Sequence, residues 1–231
     1  DVLTVSGESF GQYAQRVQFE KHAPTFINAF NQATDILSTV DKPFDPFGGL
    51  VQVKGNLGKA VIKVSAVPKS HWAIKAPAKV FNSQQQVVEA YQDGELTGDF
   101  VLVLKGQGPK SNGMPELHKL MPILGNLQDA GHSVALLTDG RLSGASGKVL
   151  SAIHLVPEAA NGGVISQLRD GDEIEIDTHN NLLEVHDVDL SKRQKEYVAP
   201  NQLGVGRELF SLFRKNVTPA DEGAVSIDWE E

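Results

Sequence analysis

The stretch Asp99–Asp139, "DFVLVLKGQGPKSNGMPELHKLMPILGNLQDAGHSVALLTD", decides the fold class. Phe100 to Leu104 is an uninterrupted apolar run with β-branched content, as expected of a strand buried on both faces. Leu117, Leu120, Met121, Leu124 and Leu127 then recur at helical spacing, with Pro115 suited to a first turn and Pro122 expected to kink or split the helix. "HSVALLTD" is a second buried strand. Strand, helix and strand in that order indicate an α/β domain.

Working outward, Leu50–Val53, Ala60–Val64 and Trp72–Ile74 are strand-like runs. Ser83 and Gln86 form a capping box that opens a helix through Tyr91, stopped at Gly94. "DEIEIDTHNNLLEVH" alternates, turns at Asn180-Asn181 and alternates again, as a hairpin does. "GRELFSLFRKNV" is a short amphipathic helix carrying Leu209, Phe210 and Phe213. On the N-terminal side, Phe26, Ile27, Phe30, Ile36, Leu37 and Val40 suit a helix beginning at Pro24. "DKPFDPFGGL" reads as a linker, with a boundary near Gly48. The strands are not spaced for regular alternation with helices, so the expectation is a barrel-like mixed sheet flanked by helices, preceded by a helical and linker segment.

Composition narrows the function classes. The chain has 231 residues, 40% hydrophobic and 22% charged, with a net charge of −8. That balance suits a globular protein and argues against nonspecific nucleic-acid or anionic-membrane binding. No apolar run approaches a membrane span and the first residues lack a signal-peptide pattern, so a cytoplasmic location is expected. There is no cysteine, which excludes a thiol nucleophile, disulfides and a cluster ligated by this chain's own thiolates.

Two glycine-rich stretches leave strand ends, where sites collect in α/β sheets. The first is Thr138–Lys148, "TDGRLSGASGK", whose glycines allow close backbone approach to an anion. It is not a Walker A loop, because Leu142 stands five residues before Gly147 and Val149 follows Lys148. It is not a nucleophile elbow, because Arg141 and Ala145 flank Ser143 where glycines are required. Spacing leaves both an anion or substrate site and a plain surface turn open. The second is Gly106–Lys119, with Glu116 in the first turn of the expected helix, where a carboxylate also stabilises the helix dipole. The seven histidines, His22, His71, His118, His132, His154, His179 and His186, show no metal-binding spacing. "GVGRELF" lacks the third glycine of a dinucleotide fingerprint.

Taken together, "PFGGLVQVKGNLGKAVIKVSAV", "GQGPKSNGMPELHKLMPIL", "ALLTDGRLSGASGKVLSAIHLVPEAANGG" and "LRDGDEIEID" resemble the dihydroxy-acid and phosphogluconate dehydratase family over most of Gly48–Asp177. "DVLTVSGES" also fits it, and the "LHKLMPIL" and "SGASGK" versions look most like the phosphogluconate branch. The resemblance implies a swivelling β/β/α domain over residues 48–231, with residues 1–47 as the end of a preceding catalytic domain plus linker. It implies an enzyme that dehydrates a phosphorylated sugar acid to a 2-keto-3-deoxy product. A [4Fe–4S] cluster, held by cysteines of a larger N-terminal domain, acts there as Lewis acid. On that reading this chain is the C-terminal portion of a longer, homodimeric enzyme and is inactive alone.

The resemblance makes Ser143 the catalytic base and Glu116 a ligand for Mg2+ in magnesium-dependent members. Arg141, Gly144, Ser146 and Lys148 are then the expected substrate-binding residues: by position in the loop Arg141 neighbours the carboxylate, and Lys148 either reaches toward the phosphate or is a solvated lysine. Ala145 departs from relatives that carry a hydroxyl residue there. A branched-chain dihydroxy-acid dehydratase domain, a noncatalytic anion-binding module and a dimerisation module are the alternatives.

Overall fold

The structure is a computed structural model, and it describes residues 4–9, 15–21, 23–28, 33–39, 41–46, 48–143, 147–196 and 203–227. Its contacts divide the chain into two compact units, Asp1–Pro46 and Phe47–Glu231.

In the first unit β1 (Gln15–Glu20) and β2 (Ala23–Asn28) pair antiparallel, with Gln15 opposite Asn28 and Glu20 opposite Ala23. The helix expected from Pro24 is therefore corrected to a strand over Ala23–Asn28, and residues 33–39 form turns and bends. Phe30 and Val40 lie outside the described residues. Phe26, Ile36 and Leu37 are exposed, so these described apolar residues do not bury the face that would hold a helix together.

In the second unit the strands are β3 (Leu50–Gly55), β4 (Gly58–Lys63), β5 (Ala73–Phe81), β6 (Phe100–Leu104), β7 (Val134–Thr138), β8 (Leu150–Val156), β9 (Glu173–Asp177) and β10 (Leu182–Val185). They close into a barrel in the order β10-β3-β4-β8-β7-β6-β5-β9. The run β5-β6-β7-β8 is parallel, while β3–β4, β4–β8, β5–β9 and β9–β10 are antiparallel. The helices are α1 (Gln84–Gln92), α2 (Pro109–Asn112), α3 (Leu120–Asp129) and α4 (Ser211–Asn216).

Side-chain alternation explains the continuous apolar runs. Val101, Val103, Ala135 and Leu137 join Ile62, Leu150, Ile174 and Leu183 in one core cluster. Their neighbours Phe100, Leu102, Leu104, Val134 and Leu136 join residues of α1 and α3 in a second cluster. β6 and β7 are thus apolar on both faces because both faces are covered.

Helix α1 begins as read: Ser83 Oγ accepts from Gln86 N, and Gln86 Oε1 accepts from Asn82 N. Gly94 lies beyond its end at φ +73°. Helix α3 begins at Leu120, later than its apolar spacing implies, which places Pro122 in its first turn and removes the expected kink. An interior proline disrupts a helix, but one in the first turn forfeits no internal hydrogen bond. Strand β8 follows β7 with no helix between them among the described residues, so it lacks the helical punctuation that marks β6 and β7 in the sequence. Among the described residues no helix is long and apolar enough to cross a membrane.

Candidate functional site

The carboxyl ends of β6 and β7 bring the two glycine-rich stretches together. Glu116 is not in a helix; it forms an isolated parallel bridge with Arg141, which corrects the first-turn placement. Its Oε1 accepts hydrogen bonds from Ser143 N at 2.9 Å and His118 N at 3.1 Å. Its Oε2 lies 3.3 Å from Arg141 Nη1, and Arg141 Nε donates to the Met114 carbonyl at 2.8 Å. A carboxylate from one motif therefore fixes the backbone of Ser143 in the other. The Arg141 cation pairs with the same carboxylate.

Beneath this cluster lies a carboxylate that sequence reading passed over. Asp139 is fully buried. Its Oδ1 accepts from Gln107 N at 2.7 Å, and its Oδ2 from Gly106 N at 3.2 Å and Ala159 N at 3.0 Å. It ties the ends of β6 and β7 to the turn after β8. Burial pushes its carboxyl up to about 6, against the three amides that favour the anion. Glu158, also buried, accepts from Lys110 N and Ser111 N at the start of α2. The signal available in the sequence was a carboxylate directly after a wholly apolar strand, where the chain turns but is still covered.

The motif glycines answer to packing as well as to turns. A Cβ on Gly108 would lie 2.3 Å from Glu158 Oε2, and one on Gly140 would lie 2.7 Å from Gln107 Cβ. Gly147, by contrast, faces open space.

The structure brings together Glu116, Arg141 and Ser143 but not Lys148. β7 and β8 are parallel, with Leu150 level with Ala135 near the start of β7. The chain after Thr138 must therefore travel back along a strand of five residues, about 15 Å at strand rise, before β8 begins. Lys148 lies at the end of that return, and its ammonium pairs with Asp129 on α3. Gly144 and Ser146 lie outside the described residues. His154, at φ +54°, donates its backbone N–H to the Gly140 carbonyl. Burial, and secondarily the Arg141 charge, holds its imidazole below the usual histidine range.

The chain's residues do not fit an iron–sulfur cluster, since they include no cysteine. Among the described residues no three His, Asp or Glu groups converge on a metal position. Glu116 offers a cation one carboxylate already facing Arg141, so a magnesium sphere would need ligands from elsewhere.

Comparison with known proteins identifies the family. Residues 35–224 match the family described as dihydroxy-acid/6-phosphogluconate dehydratase C-terminal. The chain is 48% identical over 96% of its length to a phosphogluconate dehydratase of Rhizobium meliloti, covering 38% of that protein. It is 43% identical to the phosphogluconate dehydratase of Escherichia coli over 98% of its length, covering 39% of that protein. It is 32% identical over 97% of its length to a dihydroxy-acid dehydratase of Acetivibrio thermocellus, again covering 39%. The chain thus spans less than two-fifths of the length of these relatives. The match over residues 35–224 and the similarity to these relatives show that this chain belongs to the dihydroxy-acid/6-phosphogluconate dehydratase family, as a C-terminal part.

Proposed function

We propose that this chain is the C-terminal part of a hydro-lyase that converts 6-phosphogluconate to 2-keto-3-deoxy-6-phosphogluconate and water. Greater similarity to phosphogluconate dehydratases than to the dihydroxy-acid dehydratase favours the phosphorylated sugar acid as substrate. The observation that carries the site assignment is the hydrogen bond from Ser143 N to Glu116 Oε1, which links the two motifs at one point.

Dehydration of a sugar acid removes the weakly acidic proton beside the carboxylate and expels the neighbouring hydroxyl. Ser143 takes that proton in this reading. A serine hydroxyl is a poor base by itself, and a cation close by stabilises its alkoxide form. Arg141 supplies such a charge. Its guanidinium has five N–H donors, of which the Met114 carbonyl and Glu116 engage two groups, Nε and Nη1. The remaining donors can take the substrate carboxylate and stabilise the enediolate that forms when the proton leaves. Glu116 acts as a positioning residue by fixing the Ser143 backbone, and it serves as a magnesium ligand only if other parts of the enzyme complete the sphere.

A [4Fe–4S] cluster would supply Lewis-acid assistance to the departing hydroxyl, and because this chain has no cysteine the thiolates that hold it would have to come from outside the 231 residues. The chain alone therefore has no turnover. A swivelling β/β/α arrangement, a cytoplasmic location and a homodimer belong to the same reading.

The test is a chimera in which this chain replaces the matching C-terminal part of the Rhizobium meliloti relative. The chimera should dehydrate 6-phosphogluconate, and Ser143→Ala should lower kcat by about 100-fold or more, the scale of losing a general base. Activity retained within about threefold would make Ser143 a turn residue.

A further inference from the structure

One cavity, lined by residues of the Pro109–Met114 segment and not by Ser143, has a volume of about 550 Å³. That is within the range of small-molecule sites. The segment that closes it is Arg207–Phe210, a 3-10 turn, continued by α4. Two arginines, Arg207 and Arg214, line it together with Phe210, Phe213, Asn112 and Met114. No aspartate or glutamate is among its lining residues.

Both arginines are half-buried, and among the described residues neither forms an ion pair. Arg207 Nη1 donates to Asn112 Oδ1 at 3.2 Å, and Asn112 Nδ2 donates in turn to Gln107 Oε1 at 3.1 Å. Arg214 Nη1 donates to the Arg207 carbonyl at 2.7 Å. Arg207 Nε is buried with no hydrogen-bond partner among the described residues. The chain carries 29 acidic residues against 21 basic ones. In such a chain carboxylates are abundant, yet among the described residues neither of these two guanidiniums pairs with one. A buried, unsatisfied charged donor is costly, and the usual resolution is an anion that the cavity admits.

We infer that this cavity is an anion subsite in which Arg207 and Arg214 bind the phosphate group of the substrate. This rests on the proposed function for the identity of the substrate. Fork-shaped guanidiniums match the oxygens of a phosphate, which two cations together neutralise. Met114 joins the two ends of the site: its residue lines the cavity, and its carbonyl accepts from Arg141, the cation next to Ser143. A sugar acid with its carboxylate at Arg141 and its phosphate in the cavity would lie across this shared wall. Lys148 is a poorer phosphate partner, since Asp129 already holds it near the amino ends of the strands.

The test uses the 231-residue chain, labelled for NMR and titrated with inorganic phosphate, 6-phosphogluconate and gluconate. Saturable shifts at Arg207 Nε, Asn112 and Phe213 are expected with the two phosphorylated probes and not with gluconate. Arg214→Gln should weaken 6-phosphogluconate binding by about tenfold, near 1.4 kcal/mol. No saturable response to phosphate in the unaltered chain overturns the inference whether or not the variant folds. Equal responses to gluconate and 6-phosphogluconate overturn it too. The two readings fail separately: phosphate binding by a chain whose chimera does not turn over sinks the proposed function, and turnover without a phosphate response sinks the subsite.

Discussion

Replacing Glu116 with Ala removes one acceptor from three donors: Ser143 N, His118 N and Arg141 Nη1. The Glu116 side chain is 38% exposed and Arg141 47% exposed, so water can take over part of each interaction. A hydrogen bond to a charged group contributes about 1.5–3 kcal/mol when shielded, and about 0.5–1 kcal/mol is reasonable for each amide at this exposure. The half-exposed ion pair adds about 0.2–1 kcal/mol. Local opening of the loop should therefore become easier by about 1–3 kcal/mol, which is about 5- to 150-fold in an exchange rate. Native-state hydrogen exchange followed by NMR reads this at the Ser143 amide directly. Amides of β6 should keep their protection, because Asp139 rather than Glu116 ties the strand ends. Glu116→Gln keeps one carbonyl acceptor and should fall between Ala and the parent. A Ser143 amide that exchanges within about twofold of the parent rate in the Ala protein would refute the positioning role.

The remaining predictions concern Asp139 and the glycines. Asp139 has a folded pKa of about 6 against an ordinary 3.8, so the folded state holds its proton more tightly than the unfolded chain. Its contribution to stability is full below about pH 4 and lost as pH rises through 6, by about 3 kcal/mol at roughly 1.4 kcal/mol per pH unit. Urea unfolding across this range, compared with Asp139→Asn, isolates the slope, and a carboxyl NMR midpoint below 4 would contradict it. Gly108→Ala and Gly140→Ala should each lose about 1–3 kcal/mol by overpacking against Glu158 and Gln107, while Gly147→Ala should stay within about 0.5 kcal/mol. Thermal melts of the three proteins check this, and equal losses would mean that loop conformation rather than packing requires the glycines.

The barrel was legible where both faces of a strand are buried. Phe100–Leu104 and Val134–Thr138 read as strands because α1 and α3 cover one face and the barrel core the other. The first unit was not legible. Phe26 and Ile27 fit helical spacing, yet a two-stranded ribbon with an exposed Phe26 provides no buried face to set a period. Glu116 illustrates a different limit. A carboxylate ahead of an apolar helix has the same local pattern whether it caps that helix or bridges to a loop 25 residues away, and only the barrel's closure decides between them. Arg207 is comparable. "GVGRELF" carries no dinucleotide fingerprint, but its arginine gains meaning from Asn112, which lies 95 residues away in sequence.

The loop between β7 and β8 explains why a single motif reads as one site and folds as two regions. Parallel strands with no helix between them among the described residues require the chain to run from the carboxyl end of one strand back to the amino end of the next. Asp139, Arg141 and Ser143 are held at the outgoing end by Gly106, Gln107 and Glu116. Lys148 is held at the returning end by Asp129, next to Gly147, where an added Cβ would face open space. Sequence proximity of Ser143 and Lys148 therefore misleads about chemistry, because the crossover separates what the motif joins. The outgoing half can address a substrate at the carboxyl ends of the parallel strands, where α/β sheets place their ligands. If the substrate is the doubly anionic sugar acid proposed above, charge for its far end has to come from another element, and the arginines of the 3-10 turn and α4, which line a cavity with the same Pro109–Met114 segment, are the candidates.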